Sequence, residues 1–216
     1  MSARQAGPRI FADREDGGRR LAGELRRRAW ADPVVLGLAR GGVPVAAVVA
    51  RWLGAELDVA VARKIGAPGH REYGVGAVTR DGPAIYDETA LRALRLTAAR
   101  MARAEAHERA EARRRLQHYR AGRAPAGLTG RDVLLVDDGL ATGVTATAAL
   151  RDLRAARPRT LVFAAPVAAP GAVTRVLGEA DDVVCVSEPP DFRAVGQWYA
   201  DFRQLGDDDV LNLLSS

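Results

Sequence analysis

Residues 134–145 read L-L-V-D-D-G-L-A-T-G-V-T: an apolar run, two adjacent carboxylates, a turn of small residues and the first residues of a helical pattern. The apolar run fits a strand buried on both faces, as in a parallel sheet. Open α/β sheets bind ligands at the carboxyl ends of their strands, which is where Asp137 and Asp138 are expected. Gly139, Ala141 and Gly143 let backbone N–H groups approach a ligand closely, and Thr142 and Thr145 add hydroxyl donors. The helix that follows offers unpaired N–H groups and a positive dipole end, a combination suited to phosphate. Two carboxylates side by side accept hydrogen bonds from vicinal hydroxyls and can hold a divalent cation. The stretch therefore fits a sugar phosphate held from both ends. Neither a P-loop nor a dinucleotide glycine signature is present.

Around this stretch, short apolar runs alternate with helical patterns, the signature of a parallel sheet with crossover helices. Strands are predicted at 33–38, 57–62, 73–78, 132–136, 160–165 and 182–186, and helices at 16–30, 43–53, 87–119, 143–156, 170–179 and 206–214. The fold class is α/β, a mostly parallel sheet of about five strands flanked by helices. In the long helix, Leu91, Leu94, Ala98 and Met101 keep a 3–4 spacing, which Glu105 and Glu108 interrupt before Leu116 and Tyr119 resume it. Such a helix reads as a lid, a dimer contact or a plain surface element. Residues 121–130 read as a connector.

At 216 residues, one domain is the default. The N-terminal segment carries Arg4, Arg9 and Arg14 without an apolar run, and no run of apolar residues is long enough to span a membrane, so a cytoplasmic protein is expected. Cys185 is the single cysteine, which excludes an internal disulfide and a cysteine metal cage; it reads as a small buried hydrophobe. The net charge of +5 comes largely from the arginines at 19–20, 26–28 and 92–123, and the last run, interleaved with Glu105, Glu108 and Glu111, favours a solvated helix face over nucleic-acid binding. Of the 32 basic residues only Lys64 is a lysine, which invites a chemical reason for a compact ammonium at that place.

The segment V-D-D-G-L-A-T-G-V-T closely resembles the phosphoribosyl pyrophosphate (PRPP) signature of type I phosphoribosyltransferases. G-L-A-R-G-G-V-P-V-A at 37–46 resembles that family's pyrophosphate loop, where a non-proline cis peptide would fall at Ala39–Arg40 or its neighbour. V-A-R-K at 61–64 resembles the strand end that carries basic residues in the adenine and orotate enzymes, and gives Lys64 and Arg63 a place beside the pyrophosphate. The resemblance spans about 33–187 as the core, with residues 87–119 as a helical insertion. A hood is expected from the N-terminal segment, residues 188–216, or both. It implies transfer of the phosphoribosyl group from PRPP to a nitrogenous base or similar small acceptor, with Mg²⁺ as cofactor. On that reading Asp137, Asp138, Gly139, Ala141, Thr142, Gly143, Val144, Thr145, Ala39, Arg40, Gly41, Gly42, Arg63 and Lys64 bind PRPP. Asp137 and Asp138 also face the metal, and a homodimer is expected.

Two departures matter. Where the hypoxanthine–guanine enzymes place an aspartate and a lysine, this chain has Ala141 and Val144, which argues against 6-oxopurine salvage. E-Y-G at 72–74 resembles a triplet of the adenine enzymes and makes Glu72, with Lys64, the catalytic candidate; yet only seven residues separate the two, too few for a mobile lid. Phe192, Trp198, Tyr199 and Asp201 are the candidate acceptor contacts, because aromatic faces stack on planar bases; core packing of the tail explains the same aromatics. The alternative function is a PRPP or nucleotide sensor without turnover.

Overall fold

The structure is a computed structural model that describes residues 10–215, with the backbone alone described for residues 70–72. Five parallel strands form the central sheet: β1 (Val34–Leu38), β2 (Glu56–Ala60), β6 (Asp132–Val136), β7 (Thr160–Val167) and β8 (Asp182–Ser187), in the order β2-β1-β6-β7-β8. Successive side chains on a strand face opposite sides. Thus Val34, Leu36, Val133, Leu135, Leu161 and Phe163 pack on one face, against Ala146, Ala149 and Leu150 of α5 (Val144–Arg154) and Val176 of α6 (Ala172–Leu177). Val35, Leu134, Val136, Val162 and Ala164 face the other way, onto Leu21 and Leu25 of α1 (Arg14–Leu25) and Val45, Ala46 and Val49 of α2 (Gly42–Leu53). Both faces are covered, which accounts for the near-continuous apolar strands.

The predicted strand at 73–78 belongs elsewhere. It is part of β4 (His70–Val78), which pairs antiparallel with β3 (Arg63–Ala67) and β5 (Ile85–Tyr86) in a separate three-stranded sheet. The seven residues between Lys64 and Glu72 form most of a hairpin, with Gly69 at φ +78° making its turn. The small sheet packs on α5 through Ala77, Ile85, Val144 and Ala148.

The predicted helix at 87–119 is two helices, α3 (Glu88–Ala93) and α4 (Ala98–Arg120). Arg95 at φ +53° breaks them, and Asp87 and Thr97 cap their N-termini with side-chain oxygens. The last helix, α7 (Asp207–Leu214), packs on α2 and α4 through Val210 and Leu214. No helix among the described residues is long and apolar enough to cross a membrane.

Candidate active site

In this strand order the connections leave β1 and β6 in opposite directions, and the two strands are neighbours. That is a topological switch point, and the loops after β1 and β6 open a crevice between them. A cleft of about 1160 Å³ lies there, bounded by Ala39–Gly41, Arg63–Lys64, the β3–β4 turn, the loop 137–145, α4 and Val195.

The loop after β1 is pressed against the acidic pair. A Cβ on Gly41 would stand 2.1 Å from Asp138 Oδ2, and one on Gly42 would stand 2.3 Å from the Val136 carbonyl oxygen. Only glycine allows this approach. The peptide between Ala39 and Arg40 is cis, at the first of the two places the sequence suggests. Gly42 is buried in this contact, and Ala39, Arg40 and Gly41 face the cleft. Arg40 lies 3.6 Å from Asp207 of α7.

In the loop after β6, Asp137 and Asp138 both line the cleft, and the Asp138 N–H donates to Asp137 Oδ1 at 2.8 Å. Burial, and then the neighbouring Asp138 carboxylate, push the Asp137 carboxyl well above the usual range. Burial also raises Asp138, opposed by Arg14. Arg14 Nε donates to Asp138 Oδ2 at 2.8 Å, and the Tyr199 hydroxyl donates to the Asp138 carbonyl at 2.6 Å. Beyond the pair, Gly139, Ala141, Thr142, Gly143 and Thr145 line the cleft; Gly143, at φ +78°, opens α5. Val144 does not join them. It is 9% exposed and packs on Ala77 and Ala148 of the small sheet and α5, so its side chain belongs to the core.

Lys64 is exposed on the cleft wall, and no ion pair among the described residues engages it. Arg63 donates from Nε to Glu108 Oε2 at 3.0 Å and so ties β3 to α4. Glu72 lies in β4, and its side chain is outside the described residues.

None of the acceptor contacts expected at the C-terminus, Phe192, Trp198, Tyr199 and Asp201, lines the main cleft. Trp198 and Tyr199 are 3% and 2% exposed, in an apolar cluster with Phe11 and Val167 that Phe192 joins from its edge. Asp201 is exposed, accepts the Arg203 N–H at 3.1 Å and faces a separate cavity of about 380 Å³ near Arg14 and Leu205. No Phe, Trp or Tyr among the described residues lines the main cleft. Among the described residues of this segment only Val195 reaches it, against Gly139, where an added Cβ would meet Val195 Cγ1 at 2.5 Å.

The contribution of α4 to the cleft was not anticipated. Arg100, Arg103 and His107 on α4 face it with spacings of three and four, one stripe of the helix. Their signal was in the sequence, as basic residues at helical spacing, but the same pattern describes an ordinary solvated face. Arg14 had no signal, because its partner lies 124 residues away.

The donor set also bears on a divalent cation. Among the described residues no group of three or more His, Cys, Asp or Glu is arranged to hold a metal. With Asp138 Oδ2 engaged by Arg14, Asp137 is the carboxylate better placed to contribute a hard oxygen ligand. That fits a Mg²⁺ held chiefly by water and the ligand's own oxygens.

A model of the phosphoribosyl transferase domain matches residues 9–203. Two proteins of Mycobacterium tuberculosis, strains CDC 1551 and H37Rv, each named "Putative phosphoribosyl transferase", are 44% identical over 206 residues, 95% of this chain and 46% of theirs. The chain thus spans about half the length of these curated relatives. The crystal structure of TT1426 from Thermus thermophilus is 46% identical, with a TM-score of 0.79 over 94% of this chain and 97% of that one. A Neisseria gonorrhoeae protein determined with bound ppGpp is alike in fold alone, 14% identical with a TM-score of 0.51 over 95% of each chain. With the loops after β1 and β6 side by side at the switch point of a parallel sheet, and a domain match over most of its length, this chain belongs to the phosphoribosyl transferase domain family.

Proposed function

We propose that the cleft binds PRPP and transfers its 5-phosphoribosyl group to a small acceptor, releasing pyrophosphate. The observation that carries this reading is the contact of the glycine loop after β1 with the acidic pair after β6 at one switch point. The 5-phosphate sits at the small-residue turn and the first N–H groups of α5, with Thr142 and Thr145 as hydroxyl donors. The ribose diol meets Asp137 and Asp138. The diphosphate lies along Ala39–Gly41, with Arg40 and Lys64 as its cations; fixed positive charge there stabilises the departing pyrophosphate, where negative charge develops. Mg²⁺, when bound, supplies further charge neutralisation, with Asp137 as the protein residue that would help to hold it. Positioning and electrostatics then account for most of the acceleration, with Glu72 as the candidate acid or base. The enzyme is expected to be a cytoplasmic homodimer.

A second reading has its own observation. No Phe, Trp or Tyr among the described residues lines the cleft, and Ala141, which does, carries no acid or base, so PRPP could be bound and sensed without transfer. Pyrophosphate release from PRPP with Mg²⁺, assayed across neutral and carboxylate-bearing bases, separates the two: release with any base establishes transfer, and binding without release establishes sensing. For both readings, Asp137→Asn is expected to weaken PRPP binding at least about tenfold, the loss of a charge-assisted hydrogen bond. Unchanged affinity in calorimetry would overturn both.

A further inference from the structure

Arg14, the first residue of α1, is far in sequence from every motif of the cleft, yet its guanidinium is directed onto the acidic pair. Nε donates to Asp138 Oδ2 at 2.8 Å, and a terminal nitrogen donates to the Arg203 carbonyl at 3.0 Å. The guanidinium carbon sits 3.9 Å from the centre of the Phe202 ring, which in turn stacks on Tyr199 at 5.2 Å. The side chains of Arg14 and Asp138 are only 11% and 12% exposed. Asp138 is therefore held by three different segments: α1 through Arg14, the C-terminal segment through the Tyr199 hydroxyl on its carbonyl, and the glycine loop after β1 through Gly41. Asp137, among the described residues, takes no hydrogen bond from α1 or the C-terminal segment and feels Arg14 only through its charge.

We propose that Arg14 is a positioning residue for the ribose diol of PRPP, orienting the Asp138 carboxylate towards the ligand. The inference depends on the reading above, in which Asp138 meets the ribose. The chemistry requires arginine. A planar fork serves a carboxylate and a carbonyl at once while its face lies on an aromatic ring, and an ammonium cannot do all three. Because Arg14 acts through Asp138, it governs recognition of the sugar and not of the diphosphate, whose contacts lie on the loop after β1 and on Lys64.

The test measures the affinity of wild type, Arg14→Met, Arg14→Lys and Phe202→Leu for three probes with Mg²⁺: PRPP, ribose 5-phosphate and inorganic pyrophosphate. Thermal unfolding is followed in parallel. Arg14→Met should lose tenfold or more for PRPP and for ribose 5-phosphate while pyrophosphate stays within about twofold; Arg14→Lys should recover part of the loss. Phe202→Leu, which keeps the charge and removes the stacking face, should shift the two ribose-bearing ligands in the same direction by less, and decides the matter with Arg14→Lys if Arg14→Met does not fold. Equal losses for all three probes would make Arg14 a merely structural tie and overturn the proposal, as would unchanged affinities. Absence of PRPP binding by the wild type would remove the underlying reading as well, whereas wild-type binding with insensitive variants would remove only the role of Arg14.

Discussion

A methyl group on Gly41 would stand 2.1 Å from Asp138 Oδ2 and 2.5 Å from its Cγ, with the carboxylate pinned by Arg14 and unable to retreat. Gly41→Ala is thus expected to reduce PRPP affinity by a factor of ten or more in calorimetry. Gly23, in α1 with nothing within 4 Å of an added Cβ, is the control. Gly23→Ala should leave affinity unchanged and stabilise by about 0.5–1 kcal/mol in denaturant titration. Cys185 permits a different test: burial, and then the Glu188 carboxylate, push its thiol up to about 12. Its thiolate is scarce at pH 8, so iodoacetamide should label the native chain about a hundredfold more slowly than the unfolded one. At this scale the sequence revealed the residues whose identity the local backbone dictates, such as Gly41 and the Asp137–Asp138 pair. Arg14 was hidden because a long-range ion pair leaves no periodic trace. For Trp198 and Tyr199 the sequence left two roles open, because an aromatic that packs a tail and one that stacks on a base look alike until burial is known.

Among the elements, the five parallel strands were legible because burial on both faces writes itself as unbroken apolar runs, and the positions of β6 and β7 follow directly. The small sheet was not, since β3 mixes Arg63 and Lys64 with glycine and alanine, and β5 has only two residues. The break between α3 and α4 was masked by Leu91, Leu94, Ala98 and Met101, whose spacing runs through it. That break sets the direction of α4. Its body is tied to the small sheet by Glu105, which accepts from the Tyr86 hydroxyl and Arg109, both at 2.8 Å, and by Glu108 through Arg63. With Glu108 engaged, Arg100 and Arg103 face the cleft without an ion pair among the described residues. Their joint replacement by alanine should weaken PRPP or pyrophosphate binding several-fold at low ionic strength, and less in high salt, because exposed charges are screened over roughly 10 Å at 0.1 M. Both are exposed, so the melting temperature should hardly move. A melting shift without an affinity change would place them on a structural face.

For the whole molecule, the segment leading into α1 and the segment 198–202 meet beside the site. The Ile10 and Phe11 N–H groups donate to the Trp198 carbonyl at 3.0 Å, and the Ala200 and Asp201 N–H groups return bonds to Phe11 and Ala12 at 2.8 Å. These segments carry Arg14, Tyr199 and Phe202, and Tyr199 bonds to the backbone of the acidic pair itself. These segments, the expected hood, therefore have no separate core: their aromatic cluster shares Val167 with β7, and they hydrogen-bond to Asp138 in the loop after β6. Hood and sheet are expected to unfold together, giving one calorimetric transition. A ligand that bridges the loops after β1 and β6 binds only the folded chain, so PRPP at 100 times its dissociation constant should add about 2.7 kcal/mol. For a chain of this size that is a rise of roughly 5–10 °C in melting temperature. Arg14→Met should lower the melting point and, compared at equal PRPP concentration, also reduce this increment, because the same guanidinium ties the hood and orients Asp138. Two transitions, with PRPP shifting only one, would mean that hood and sheet fold separately and that Arg14 does not couple them.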